Sequence, residues 1–206
     1  MKFIPIGLQC SVHTAIKDAK LREYAYPFDN LFSPSKTTYT ILYILIHEGI
    51  EKAVEYMTNG YTYYTYLGNE KYISSDVETS CQMNAETGLG VTHYTINDQY
   101  KDTLRRRLAR LIGDIKSEQH ITFIYADAAS PDTNYYLDNV EYGLDATEHL
   151  LKIYDLIYPI NNNIKIVYFC WTDRKKERDD KIEYVYYTFK QDWCKVRGLI
   201  TCYLNL

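Results

Sequence analysis

Ile121-Thr122-Phe123-Ile124-Tyr125-Ala126-Asp127 is apolar without alternation, and Lys165-Ile166-Val167-Tyr168-Phe169-Cys170-Trp171 has the same texture. A strand with one wet face alternates, whereas a strand buried on both faces does not. A helical stretch precedes each run. Asp98 opens an amphipathic helix with Leu104, Leu108, Leu111, Ile112 and Ile115 at helical spacing. Asp138-Asn139-Val140-Glu141 opens another with capping-box character, running to about Tyr158. Strands alternating with long helices predict an α/β fold: a mixed, partly parallel sheet flanked by helices.

The N-terminal half extends this pattern. Phe3 to Gly7 reads as a buried strand, and a helical pattern begins at Ser11 (Val12, Ala15, Ile16, Ala19) and reaches Leu21. A loop containing Pro27 leads to Ser33-Pro34, expected as an N-cap with Pro in the first helical position. The helix carrying Ile41, Leu42, Ile44 and Leu45 ends at Gly49, and a shorter one with Ile50, Ala53, Val54 and Met57 stops at Gly60. Tyr61 to Ile73 reads as a hairpin, and Val91 to Ile96 alternates like a strand. Tyr184 to Phe189 and Leu199 to Leu204 are further strand candidates. No repeat or Pro/Gly-rich linker divides the chain, so residues 1–206 are expected to form a single domain.

Composition narrows the function. The net charge is -4 at a pI near 5.7, which points away from nucleic acid. The 23 tyrosines, with abundant Ile, Asn and Lys, are what AT-rich coding favours. Five cysteines without a CxxC pair make a zinc ribbon or finger unexpected. No signal peptide is evident, and Tyr39 to Ile46, the longest apolar segment, is far short of the roughly 20 residues that span a bilayer. A cytoplasmic protein with reduced thiols and no membrane partner is the expectation. No phosphate-loop, dinucleotide or zinc-protease motif is present, so neither cofactor nor metal is expected. Nothing in the sequence specifies oligomeric state.

One cysteine has a position that chemistry could use. Cys10 lies between the end of a strand and the first turn of a helix. Unpaired N–H groups and the helix dipole favour an anion there, as a thiolate requires. The alternative is a small buried hydrophobe. Cys170 and Cys202 lie in apolar runs expected to be core, and Cys81 and Cys194 have no activating neighbour in sequence. Among the histidines, His13 follows Cys10 by one helical turn, His93 stands in a strand-like run, His47 is near a helix end, His120 in a turn and His149 in a helix. Carboxylates able to orient a base are Asp29 in the loop and Asp127 at a strand end, with Asp173 a further candidate where strands end. Arg106 and Arg110 share a helix face with Arg107 one step round, as a solvated face or an anion clamp.

Ile6-Gly7-Leu8-Gln9-Cys10, Leu21-Arg22, Tyr26-Pro27-Phe28-Asp29, then His93, then Arg106-Arg107-Leu108-Ala109-Arg110 before a strand occur in a telling order. Together they resemble a family of papain-like cysteine peptidases of unknown function, found in bacteria and large DNA viruses. The resemblance covers about the first 125 residues; Asn30 stands where that family usually shows Trp. It implies Cys10 as nucleophile, His93 as base and Asp29, ahead of Asp127, as third member. A papain-like fold would be α+β, with a helix on an antiparallel sheet, and stands as the alternative to the α/β reading.

Two functions remain open. One is a cysteine-dependent hydrolase acting on a peptide or other amide, ester or thioester, with Gln9 or helix-start N–H groups facing the oxyanion. The other is a non-catalytic α/β binding protein whose Cys10 loop, Pro27-Phe28-Asp29 and Arg106/Arg110 shape a pocket for an anion. A sugar or nucleotide transferase working at the strand ends is a weaker third.

Overall fold

In the computed structural model, residues 1–7, 10–67, 70–73, 81–84, 86–91, 95–127, 146–171, 179–188 and 193–206 are described. Four strands form a parallel sheet in the order β1 (Lys2–Pro5), β7 (Ile121–Ala126), β8 (Ile164–Trp171) and β9 (Ile182–Tyr187). Between β1 and β7 the chain runs through α1 (Cys10–Asp18), β2 (Leu31–Phe32), α2 (Ser35–His47), α3 (Ile50–Thr58), β3 (Tyr61–Leu67), β4 (Glu70–Ile73), β5 (Cys81–Asn84), β6 (Gly90–Val91) and α4 (Asp98–Ile115). β2 to β6 form a separate antiparallel sheet, order β2-β6-β5-β3-β4. α5 (Thr147–Ile157) joins β7 to β8, and α6 (Trp193–Leu204) follows β9.

The unalternating runs are explained by cover on both faces. Along β7, Ile121, Phe123 and Tyr125 face one core with Leu104, Leu108 and Leu111 of α4 and Leu150, Ile153 and Ile157 of α5. Ile124 and Ala126 face a second core with Val12, Ala15 and Ile16 of α1 and Val196 and Ile200 of α6. The fold is therefore α/β, as the β7 and β8 sequences imply. The papain-like α+β alternative does not describe the support of Cys10, which the parallel sheet carries.

Several boundaries differ from the sequence reading. Leu199 to Leu204 is part of helix α6, although its β-branched and aromatic residues suggested a strand. The open face of a parallel sheet needs a helix, and Val196 and Ile200, four apart, supply the apolar stripe that settles the conformation. Cys202 consequently lies on the exposed side of α6 and is not core, while Cys170 is buried as expected. α2 begins at Ser35 with Pro34 as an N-cap lacking a side-chain bond; the Ser33 hydroxyl is held instead by Thr38, 2.7 Å away. α1 starts one residue early at Cys10 and stops at Asp18, where Lys20 takes a left-handed φ of 57°. α5 is described from Thr147; its expected start at Asp138 lies outside the described residues.

Gly7 fixes how β1 leaves the sheet. Ile6 N–H continues the ladder to the Ile124 carbonyl, and Thr38 Oγ1 donates to the Ile6 carbonyl at 2.9 Å. A Cβ at Gly7 would stand 2.1 Å from Cε2 of the Tyr125 ring and 3.1 Å from the Ser33 carbonyl. The ring of Tyr125 is buried against Tyr168, so it cannot swing away freely. Gly7→Ala should therefore cost about 1–3 kcal/mol, the usual range for overpacking. Urea unfolding of wild type and variant measures it; an unchanged midpoint would show that the strand end can move.

Candidate functional site

Cys10 is the first residue of α1, just past the carboxyl end of β1 and on the rim where β7 ends at Ala126, one residue before Asp127. Open α/β sheets gather ligands on this rim. The thiol is half-buried, and burial pushes its pKa up, outweighing the N–H of Cys10 itself, which pulls it down. The helix-start position alone suggested a thiolate; desolvation reverses that expectation, and Cys10 rests as a thiol that needs a base. Among the described side chains, Cys194 and Cys202 are the exposed thiols, so accessibility alone favours their alkylation over that of Cys10.

Asp29 is the most deeply committed charge of the site. Its side chain is 2 % exposed, and Oδ2 accepts from Arg22 Nη2 at 2.7 Å. Nδ1 of His13 stands 3.6 Å from the same oxygen. The His13 side chain is 9 % exposed, and its Nδ1 is buried without a hydrogen bond. The space bounded by Phe3, Pro5, His13, Ile16, Arg22, Tyr24 and Asp29 has no room for a water. Burial lowers the His13 pKa; Asp29 pulls it up, and Arg22, Arg107 and Lys17 pull it down. His13 is thus a neutral imidazole at neutral pH.

The loop that delivers Asp29 is shaped by turns and then clamped. Asp29 N–H donates to the Tyr26 carbonyl at 3.2 Å, and Leu31 N–H to the Phe28 carbonyl at 3.3 Å. Asn30, at the position where the family pattern has Trp, has φ of 60°, a left-handed value that Asn tolerates. α4 supplies the clamp. Arg110 Nη1 donates to the Ala25 carbonyl at 2.6 Å and its guanidinium lies 4.7 Å from the Tyr24 ring centre. Arg107 Nη1 reaches the Tyr26 carbonyl at 3.4 Å, and the Tyr26 hydroxyl donates to Asp114 at 2.7 Å. Arg105 is held by Glu51 and Asp102, and Arg106 by Thr103. The arginine cluster is therefore neither a freely solvated face nor an open anion clamp: two of its members hold the backbone ahead of Asp29.

The other nominated residues are placed as follows. Asp127 is buried; Tyr168 donates its hydroxyl to Oδ1 at 2.7 Å, and Tyr187 donates to the Asp127 carbonyl at 3.3 Å. His149 Nδ1 lies 3.3 Å from Ser35 Oγ, where burial lowers its pKa. His47 is exposed against Tyr43, and His120 Nε2 is 3.4 Å from Thr122 Oγ1. His93, Gln9 and Asp173 lie outside the described residues. Arg22 is the member that sequence reasoning missed as a site residue; its pairing depends on a reversal of the chain between residues 22 and 29. Among the described residues, no His/Cys/Asp/Glu group is gathered to hold a metal, and no helix is long and apolar enough to cross a membrane.

Arg22, Asp29, Arg107 and Arg110 thus come together around one loop, and with Gly7 and Cys10 they are the pieces of one sequence pattern. The chain belongs to the family described as "Putative papain-like cysteine peptidase (DUF1796)", whose model matches residues 1–142. Neither a curated protein nor a solved structure matches it.

Two outcomes follow from this geometry. Arg110→Ala should lower stability by about 1–2 kcal/mol, because a partly buried carbonyl loses a charged donor; thermal melts with and without a panel of anions should show that loss and no change in any anion effect. His13 gives a pH signature. Its folded pKa is below the ordinary 6.5, so the unfolded chain takes up the proton first. Its contribution is complete above about 6.5 and is lost as pH falls from there towards the folded pKa. His13→Gln should flatten that acid limb in a series of denaturant titrations; an unaltered slope would contradict the burial assignment.

Proposed function

We propose that this chain is a cysteine-dependent hydrolase acting in the cytoplasm on a peptide or other acyl substrate, with residues 1–206 working as one domain. The observation that carries the reading is Cys10, a half-buried thiol on the first residue of a helix at the carboxyl rim of the parallel sheet. Membership of a family described as peptidase-like supports the same class of chemistry.

Cys10 attacks the substrate carbonyl after giving its proton to an imidazole, for which the family resemblance nominates His93. The new S–C bond forms as the carbonyl π pair moves to oxygen, and N–H groups of the first turn of α1 face that oxyanion. On collapse the bond to the leaving group breaks, and the leaving group takes the proton from the imidazolium. Water then cleaves the thioester with the same proton path. Asp29 orients the imidazole, with Asp127 the other carboxylate of the rim. The binding-protein alternative loses its anion clamp, since Arg107 and Arg110 are engaged with the chain's own carbonyls.

The test is turnover across amide, ester and thioester substrates. Cys10→Ala should remove at least about a hundredfold of rate, with Asp29→Ala costing less. Turnover that persists in Cys10→Ala would end the assignment.

A further inference from the structure

Asp29 was expected to orient a histidine from far along the chain, yet the imidazole it faces is local. We infer that His13, in place of the His93 that the resemblance nominates, is the base of this site: Asp29 holds its Nδ1 side, and Nε2 takes the proton of Cys10. The inference rests on the hydrolase reading and deepens it.

Two independent observations carry it. The first is spacing on one element. Cys10 and His13 lie three apart on α1, a nine-residue helix, so both side chains stand on one face with Cβ atoms about 5–6 Å apart. The second is the buried end of the imidazole. Nδ1 is 3.6 Å from Asp29 Oδ2, has no hydrogen bond, and sits where no water fits. In a Cys–His–acid relay the carboxylate faces one ring nitrogen and the nucleophile the other. Arg22 Nη2 holds Asp29 in place through Oδ2 at 2.7 Å. The charged and titratable groups acting on His13 are Lys17 on its own helix, Asp29 and Arg22 on the loop, and Arg107 on α4. Burial first, and then Arg22, Arg107 and Lys17 against the pull of Asp29, keep the ring neutral, as a base must be before it acts. Cys10 and His13 share no hydrogen bond in the resting structure, and such contacts commonly close only with substrate bound.

In this assignment the Sγ–H bond breaks and its proton goes to Nε2. Asp29 stabilises the imidazolium that forms, and the leaving group later takes that proton back. Nothing beyond substrate and water enters the balance.

The experiment follows Cys10 directly. The rate of iodoacetamide modification, mass-mapped to Cys10, is measured across the imidazole and thiol titration ranges. Wild type should show an inflection from a neighbouring imidazole. His13→Gln should remove it and slow modification about tenfold near neutral pH, whereas His93→Gln should leave it in place. Because His13 is buried and its replacement can unfold the protein, a second measurement uses a folded partner variant. The His13 imidazole titration, followed by NMR on histidine-labelled protein, should shift between wild type and Cys10→Ser. An unmoved inflection in His13→Gln, its loss in His93→Gln, or a His13 titration indifferent to Cys10 overturns the role of His13 while leaving Cys10-dependent turnover as the test of the hydrolase reading. Turnover that survives Cys10→Ala overturns both.

Discussion

The pairing of half-buried Arg22 with buried Asp29 is the constraint around which the N-terminal half is arranged. A carboxylate at 2 % exposure has lost nearly all its water and needs a donor in its place, which Arg22 supplies at 2.7 Å. Satisfying it demands a reversal between residues 22 and 29, and α4 supports that reversal from outside. Arg107 and Arg110 take carbonyls that would otherwise be poorly solvated, and Asp114 receives both Tyr26 and Lys2, tying the loop to the start of β1. Charge burial, loop shape and strand position are thus one problem with one solution. The carboxylate ends up against the helix that begins with Cys10.

The architecture was readable because its physics is local and repetitive. The uniform burial of Ile121 to Ala126 follows from six consecutive residues that leave no solvent face. Asp98 to Ile115 declared itself by a stripe of leucines and an Asn97 cap that accepts from Tyr100 N–H. Leu199 to Leu204 misled because its residue types suit a strand, while the face it covers, made by Val167 and Phe169, is assembled from distant sequence. Propensity lost to tertiary demand there.

The site was legible only in part, for the same reason. Cys10 was visible from the strand-to-helix junction alone. The role of Arg110 was not, since its partner is a backbone carbonyl 85 residues away and no residue type announces a carbonyl. The choice between thiolate and buried thiol stayed open in the sequence because helix-start electrostatics can be read there, but the depth of burial that opposes them cannot. His13 and Asp29 were each weighed without being joined, because fifteen residues, the end of α1 and a turning loop, separate them.

Where the family match ends has a material consequence for this protein. Residues 1–142 contain every piece of the motif, but of the parallel sheet they contain only β1 and β7. β8, β9 and α6 supply the neighbouring strands and the apolar side chains that roof Ile124 and Ala126. A fragment cut at the edge of the match would carry the chemistry on a two-stranded remnant, with its hydrophobic interior open to water and to other copies of itself. The C-terminal third contributes none of the motif's residues, yet it closes both cores against which β1 and β7 are packed.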